Sequence, residues 1–164
     1  MHMKTTTEGK LNLKNLDLGF GESQKVFYFL FGEKTESWCK WEQAINVIDC
    51  IRLGLPKQGI DTFLSKTSVT RNQLSHILHI SSRQLNRYAP DERLSPEQSN
   101  FLFELTRVYT KAIEVLGDVG TAEHWLARKN PALGNNAPLD VLDTTEGLRL
   151  VDNLLMQIEF GFYS

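Results

Sequence analysis

The sequence predicts an all-α protein, and three observations support this fold class. Apolar residues recur at steps of three and four, most regularly at Phe101, Leu105, Val108, Ala112 and Val115, which is the period of an amphipathic helix. Several such stretches begin with a hydroxyl residue followed three positions later by Gln or Glu, the sequence pattern of a helix capping box. Beyond residue 40 we find no alternation of polar and apolar residues of the kind that strands show.

The composition is that of a globular protein without a membrane segment. Of the 164 residues, 41% are hydrophobic and 23% are charged, close to the averages for globular proteins. The most apolar run, residues 26–31, is far shorter than the roughly 20 residues that span a bilayer. With two cysteines only, we expect a soluble cytoplasmic protein in which Cys39 and Cys50 are buried thiols.

The first 40 residues form a weakly patterned leader. It contains a Gly-Phe-Gly turn at residues 19–21 and the aromatic run at 26–31, which is too short to distinguish a strand from a buried helical turn. A helical period then begins and places four apolar residues on one face: Trp41, Ile45, Ile48 and Ile51. The Gly-Leu-Pro sequence at 54–56 ends this helix.

Two short helices joined by a tight turn are predicted between Thr70 and Pro90. Thr70 and Ser81 each stand three residues before a Gln, so each can cap a helix. The turn falls near His79, at a position where Gly is common, and His tolerates a positive φ better than most residues. Ser75 occupies the helix crossing, where Ala is usual. This pattern predicts a helix-turn-helix.

The charge distribution favours DNA as the partner of these two helices. Residues 66–93 carry five basic and two acidic side chains, whereas residues 94–164 carry five basic and ten acidic ones. The second helix of a helix-turn-helix enters the major groove, where Arg, Asn and Gln read base edges. The alternative is a solvated polar face on an ordinary helix pair. The candidate DNA contacts are Arg71, Ser81, Ser82, Arg83, Gln84, Asn86 and Arg87.

The remaining helices follow from their start and stop signals. Ser95 and Pro96 begin the longest helix, which Gly117 ends; its apolar surface suits either a homodimer contact or an internal core. A short helix through Trp125 and Leu126 leads to a loop at 130–138 that is rich in Asn, Pro and Gly. A last helix is capped near residues 143–146 and stopped by Gly161.

We find no catalytic constellation in the sequence. His76 and His79 stand three residues apart without the glutamate and four-residue step of a zinc protease helix. The turn at 19–21 lacks the third glycine of a dinucleotide-binding loop, and no G-x-S-x-G elbow is present. We therefore expect neither an enzyme nor a bound metal or cofactor.

The order and spacing of several short blocks carry a family resemblance from residue 54 to residue 164. The blocks are Gly-Leu-Pro at 54–56, Ile-Ser-Ser-Arg-Gln-Leu-Asn-Arg at 80–87, Leu-Ser-Pro-Glu-Gln-Ser at 94–99, Asn-Pro-Ala-Leu-Gly at 130–134 and Ile-Glu-Phe-Gly at 158–161. In these blocks the chain resembles the Xre/MbcA/ParS-type antitoxins. The family usually has a second Gly after Gly134, and here Asn135 stands in its place, the next-best residue for a left-handed backbone.

The resemblance implies an antitoxin of a type II toxin–antitoxin system. Such an antitoxin masks the active site of a RES-type NAD-degrading toxin and represses its own operon by binding operator DNA. The implied domains are a helix-turn-helix at 41–93 and a helical toxin-binding domain at 94–164, after the leader at 1–40. The implied toxin-binding residues are Trp125, Asn130, Pro131, Gly134, Gly161, Phe162, Tyr163 and Ser164. Among these, the apolar tail is the best candidate for direct contact, while Trp125 suits a core anchor and Asn130, Pro131 and Gly134 suit loop formation.

Two rival functions and several details stay open. A stand-alone transcriptional regulator would use the C-terminal domain only to dimerise, and a protein-binding adaptor would carry a helix-turn-helix degraded at His79. We expect a homodimer through the helical region, because helix-turn-helix proteins commonly bind two half-sites as dimers. The operator sequence, the stoichiometry with the toxin and the role of residues 1–40 do not follow from the sequence.

Overall fold

The computed structural model describes residues 21–32, 39 and 44–161, and among these the elements are helices, with no β-strand. This confirms the predicted all-α class. Two short 3-10 helices, Pro131–Leu133 and Pro138–Val141, lie between the last two α-helices. The α-helices are α1 (Glu22–Phe31), α2 (Ala44–Leu53), α3 (Gln58–Lys66), α4 (Arg71–Ile77), α5 (Ser82–Arg87), α6 (Pro96–Leu116), α7 (Val119–Ala127) and α8 (Thr145–Glu159).

Helix α6 is the centre of the molecule. Its start is the predicted capping box, in which the Ser95 hydroxyl accepts from the Gln98 amide and the Gln98 side chain accepts from the Ser95 amide. It ends at Gly117, whose φ of 96° is left-handed. Helices α1, α2, α7 and α8 all pack against it. Of the two roles that the sequence left open for this helix, the structure shows the internal core.

The aromatic run of the leader is helix α1, and it completes this core. Val26, Phe27, Phe29 and Leu30 are buried, and the helix packs on α3 and α6. The ring centroid of Phe27 lies 5.7 Å from that of Phe103, and the Phe29 ring lies within about 6 Å of two others. A strand was the open alternative for this segment, and the structure excludes it.

Helix α2 packs on α6 and buries the face that carries Val47 and Cys50. Val47 and Cys50 are buried, whereas Ile45 is 58% exposed and Ile48 is 44% exposed. Ile45 and Ile48, which the sequence places on one face, therefore both point to solvent, and Ile51 of the same predicted stripe is half-buried against the core. The helix has apolar residues on both sides, and packing against α6 selects the side with Val47. Trp41, the fourth residue of that stripe, lies outside the described residues.

The two cysteines are bonded to each other. Cys39 and Cys50 are both buried, as predicted, but they form a disulfide with their Cα atoms 5.8 Å apart. The prediction of two thiols is wrong, because the packing of α2 brings Cys50 beside Cys39 at a separation that suits a disulfide.

One continuous cluster of buried apolar side chains runs from α1 to α8. It includes Phe27 of the leader, Leu85 of the second short helix and Val151 of the last helix. The short helices and the C-terminal helices therefore share a core. Within the described residues, no helix is both long enough and apolar enough to cross a bilayer.

Candidate DNA and toxin interfaces

Helices α4 and α5 form the predicted helix-turn-helix. The Thr70 hydroxyl accepts from the Gln73 amide at 3.2 Å, and the Ser81 hydroxyl accepts from the Gln84 amide at 3.1 Å. These bonds satisfy amides that a helix start leaves without partners. Leu74 and Leu85 are fully buried and fix the two helices on the core, so the opposite faces point outward.

The turn between the helices is a Schellman motif with His79 in the left-handed position. The Ile80 amide donates to the Ser75 carbonyl at 3.0 Å, and the His79 amide donates to the His76 carbonyl at 3.2 Å. His79 has a φ of 54°, a conformation that favours glycine. The tight turn predicted at this residue is confirmed, and histidine builds it.

Ser75 fits the helix crossing because its hydroxyl is satisfied locally. The side chain is only 6% exposed. Its hydroxyl donates to the Arg71 carbonyl at 2.8 Å and lies 3.4 Å from the Ser82 hydroxyl. A serine in the place of the usual alanine therefore leaves no buried polar group unpaired.

The structure places six of the seven predicted DNA contacts on the surface. Ser82 is half-buried, and its hydroxyl donates to the Asn72 side chain at 3.4 Å. The Arg71 guanidinium donates to the Asn86 side chain at 3.4 Å, which joins the outer faces of α4 and α5. The exposed residues are Arg71, Ser81, Arg83, Gln84, Asn86 and Arg87.

Two of the five basic residues of segment 66–93 contact other parts of the chain and are not part of the outer face of α4 and α5. The Lys66 ammonium donates to the Phe29 carbonyl at 2.5 Å and lies 5.0 Å from the centre of the Phe29 ring; burial lowers the pKa of this lysine. The Arg93 guanidinium donates to the Gly54 carbonyl at 2.7 Å. The positive charge of the outer face therefore comes from Arg71, Arg83 and Arg87.

The helix-turn-helix is attached directly to the segment that precedes α8. The Nε2 atom of His79 lies 2.6 Å from the Asp143 carbonyl oxygen, and the Nε2 atom of His76 lies 3.2 Å from the Asp143 carboxylate. The His79 ring also packs on Phe101 of α6, with ring centroids 4.8 Å apart. The sequence showed no sign of Asp143 as a partner, because 64 residues separate it from His79.

The Asn-rich loop is a compact folded unit. Asn130 is buried, its side chain accepts from the Ala132 amide at 2.9 Å, and its own amide donates to the Asn136 carbonyl at 3.0 Å. Gly134 and Asn135 have φ values of 62° and 63°, so Asn135 adopts the left-handed conformation expected of a glycine substitute. Pro131 is exposed, and it is the proline of this loop that a partner can reach.

Trp125 and Gly147 lie before and after this loop in the sequence, and each has a structural role. Trp125 is half-buried and packs against the core. Gly147 is buried, and its amide donates to the Thr144 hydroxyl that caps α8. A Cβ atom at Gly147 would lie 1.7 Å from the Val141 carbonyl oxygen, so only glycine permits this approach of the 3-10 helix Pro138–Val141 to α8.

The C-terminal end of α8 presents an apolar surface. Phe160 is 65% exposed and Met156 is 40% exposed, and both line a shallow groove with Asn153 and Gln157. Gly161 follows with a φ of 71°. Phe162, Tyr163 and Ser164, the rest of the predicted contact tail, lie outside the described residues.

Two family models match this chain, one over the helix-turn-helix region and one over the C-terminal region. A model of the antitoxin Xre-like helix-turn-helix domain matches residues 51–107. A model of the antitoxin Xre/MbcA/ParS C-terminal toxin-binding domain matches residues 111–161. The chain belongs to the Xre/MbcA/ParS antitoxin family. It is therefore an Xre-family antitoxin of a toxin–antitoxin system, with α4 and α5 in the first matched domain and α8 in the second.

Three curated relatives agree with this assignment. The antitoxin is 29% identical over 120 residues to Antitoxin Xre of Yersinia enterocolitica, a match that covers 72% of this chain and 81% of the relative. It is 25% identical over 130 residues to the Prs ADP-ribosylating antitoxin of a Sphingobium species, covering 73% and 82%. It is 29% identical over 96 residues to Antitoxin Xre of Pseudomonas putida, covering 58% of each chain.

Proposed function

We propose that this antitoxin represses its own operon by binding operator DNA and neutralises a RES-type NAD-degrading toxin by covering the toxin's active site. The outer face of α4 and α5 is the DNA-binding surface in this proposal. The end of α8 and the residues after it form the toxin-binding surface. The observation that carries the proposal is that these two surfaces occupy the two domains that match antitoxin families.

The DNA-binding role rests on the chemistry of α5. Arg83, Gln84 and Arg87 are exposed around a helix that Leu85 anchors in the core. Arginine can donate two hydrogen bonds to guanine, and glutamine can bond adenine at two positions, both in the major groove. Neither arginine has an ion-pair partner among the described residues, and their charge is therefore available to the DNA backbone.

The first prediction concerns these arginines. Replacing both Arg83 and Arg87 with Ala should weaken binding to the promoter DNA by at least tenfold, since each base contact contributes about 1–3 kcal/mol. Fluorescence anisotropy with a labelled promoter duplex measures the change. Arg128→Ala removes an exposed arginine from the toxin-binding domain and is the matched control. Equal affinity of the double variant and the control would contradict the DNA-binding role.

The toxin-binding role rests on the surface at the end of α8. Phe160 and Met156 are large, exposed and adjacent in the same groove, and such apolar patches are typical of protein contact sites. The family match extends to residue 161, which includes this groove. Trp125 packs against the core of the same matched domain, Asn130 and Gly134 shape its loop, and Pro131 lies exposed in it.

The second prediction concerns this groove and the tail. The antitoxin should form a stable complex with the product of the neighbouring gene and suppress its consumption of NAD. Deleting residues 161–164, or replacing Phe160 with Ala, should restore NAD consumption. Each change removes aromatic side chains that this proposal buries against the toxin. Leu150→Ala changes another exposed apolar residue of α8 and serves as the control. A complex that leaves NAD consumption untouched would contradict the masking mechanism.

A toxin that transfers ADP-ribose to a protein is the second candidate partner, and one relative favours it. That relative is the Prs ADP-ribosylating antitoxin of a Sphingobium species. Labelled NAD distinguishes the two partners. A RES-type toxin cleaves NAD without an acceptor protein, whereas an ADP-ribosylating toxin transfers the label to protein.

In this proposal the antitoxin acts as a binding protein without catalysis, in the cytoplasm, where operator DNA and NAD are both found. It binds its operator as a homodimer, since two helix-turn-helix units match two half-sites.

A further inference from the structure

Arg71 and Asn86 connect the two helices of the helix-turn-helix on their exposed side. The Arg71 guanidinium, at the start of α4, donates to the side-chain oxygen of Asn86 on α5 at 3.4 Å, across 15 positions of the sequence. Both residues are exposed. This contact therefore lies on the face that the proposed function turns towards DNA.

Neighbouring polar contacts fix the backbone positions of this pair. The Ser75 hydroxyl donates to the Arg71 carbonyl at 2.8 Å and lies 3.4 Å from the Ser82 hydroxyl. The Ser82 hydroxyl also donates to the Asn72 side chain at 3.4 Å. These contacts join the first turn of α4 to the first residue of α5. The separation of Arg71 from Asn86 is therefore set by the folded helix pair.

The contact decides which way the Asn86 amide faces. A guanidinium has hydrogen-bond donors only, so the atom beside it is the amide oxygen, and the amide nitrogen with its two hydrogens lies on the other side. In the described part of the chain this nitrogen has no hydrogen-bond partner. Its two N–H donors are therefore available to a bound base.

Adenine is a poor match for an asparagine in this orientation. Asparagine reads adenine when its oxygen accepts from the N6 amino group and its nitrogen donates to N7. Here the amino group would approach an oxygen that already lies beside a cation, and its hydrogens would face those of the Arg71 guanidinium. Guanine presents two acceptors, O6 and N7, which match the N–H donors of Asn86 and are attracted by the positive charge of Arg71.

We propose that Arg71 is a positioning residue that makes Asn86 select guanine over adenine in the major groove. This inference rests on the proposed DNA-binding function and adds to it the base preference at one position. Arg71 acts through the Asn86 amide. Without the guanidinium, that amide can turn and bond adenine at two positions.

A binding selection from DNA duplexes with a randomised central segment tests this proposal on the full chain. Sequencing the bound fraction gives the base preference at every position of the site. Asn86→Ala should abolish the preference at one base pair, which identifies the base that Asn86 contacts. At that base pair the wild type should favour guanine over adenine roughly fivefold or more, and Arg71→Ala should remove or reverse this preference.

The matched control is Arg83→Ala, which removes another exposed arginine of the same face and leaves the Arg71–Asn86 contact in place. It should not change the preference at the Asn86 base pair. In an Asn86→Ala background, Arg71→Ala should have no further effect on the preference at that base pair, because the two side chains act as one unit. Circular dichroism spectra of all variants should match the wild type, since the substituted side chains are exposed.

Two results would overturn the proposal while leaving DNA binding intact. One is that Asn86→Ala changes no base preference, or that the wild type favours adenine at the base pair concerned. The other is that Arg71→Ala weakens binding to all sequences equally and lowers the salt dependence with no change in base preference, as loss of a phosphate contact does. A wild-type protein that selects no sequence would contradict both this inference and the proposed DNA-binding function.

Discussion

His79 shows how one residue can serve both backbone and side-chain purposes. Its left-handed backbone makes the turn of the helix-turn-helix, and its imidazole contacts the Asp143 carbonyl and the Phe101 ring. Glycine would make the turn more easily but would provide neither contact. The histidine therefore fixes the turn to the C-terminal domain at some cost in backbone strain.

A pair of variants separates these two contributions. His79→Ala and His79→Gly both remove the imidazole, but only alanine keeps the penalty of a left-handed Cβ. We expect His79→Gly to be more stable than His79→Ala by about 1 kcal/mol. The free energy of unfolding in urea measures the difference. Equal values for the two variants would mean that the turn relaxes away from positive φ when the histidine is lost.

At this scale the sequence predicts local features well and distant partners poorly. The caps formed by Thr70 and Ser95 depend on residues three positions away, so the sequence alone indicates them. The contact of His79 with Asp143 depends on the whole fold. Position 147 needs glycine because the Val141 carbonyl lies close to it. No local sequence pattern predicts this contact. The predicted contact of Phe162, Tyr163 and Ser164 with the toxin remains a prediction.

Among the helices, α1, α6 and α8 are joined by a network of ion pairs around Arg107. The Arg107 guanidinium contacts Glu22 of α1 at 3.3 Å, Glu104 of its own helix at 2.8 Å and Asp152 of α8 at 3.0 Å. Lys111 adds a second contact to Asp152 at 3.0 Å. Burial by itself would raise the pKa of Asp152, but the Lys111 hydrogen bond and the Arg107 charge outweigh burial and hold that pKa below its ordinary value of 3.8.

This network predicts a specific loss of stability in acid. A carboxyl whose pKa is lower in the folded than in the unfolded chain stabilises the fold above the unfolded value, and the effect disappears as the pH falls through the folded value. For Asp152 the loss begins near pH 3.8 and continues below it. Asp152→Asn should therefore flatten the decline in unfolding free energy over this range.

Unfolding free energies at a series of pH values measure this slope. Lys111→Met keeps the carboxylate but removes the donor, and it should flatten the same part of the curve. A slope identical to the wild type in Asp152→Asn would show that other carboxyl groups account for the acid sensitivity.

Helix α2 shows why the orientation of an element is harder to predict than its existence. The sequence gives its helical period and its end at residues 54–56. It places apolar residues on two sides, with Ile45 and Ile48 on one and Val47 and Cys50 on the other. Which side is buried depends on the surface that α6 presents, and this information is not local to the helix.

For the whole molecule, the shared core has a consequence for folding. Buried side chains of α1, the helix-turn-helix and α8 belong to one cluster, so neither family domain has a complete core of its own. We expect one cooperative unfolding transition. Tryptophan fluorescence and far-ultraviolet circular dichroism should give coincident urea curves. Two separate transitions would show that the matched domains unfold independently.

The order of the helices other than α1 and α3, and the family, follow from the sequence, because start signals, stop signals and short sequence blocks can be identified without the structure. Helix α3 (Gln58–Lys66) was not predicted. The contribution of the leader does not follow from the sequence either, since residues 26–31 are too few to define a period. Their burial becomes visible only when α3 and α6 supply the aromatic partners. The Cys39–Cys50 bond, between residues 11 positions apart, is likewise not indicated by any local pattern.

The position of α1 bears on how this antitoxin can be exchanged with its relatives. The family match begins at residue 51, yet Phe27 and Phe29 cover Phe103, Phe63 and Tyr109 from the leader side. A fragment or chimera cut at the family boundary would expose these three rings to water, and aggregation is the expected fate of such a patch. A fragment or chimera that keeps this core intact therefore has to include α1 (Glu22–Phe31), which lies well before residue 51, where the family model begins to match.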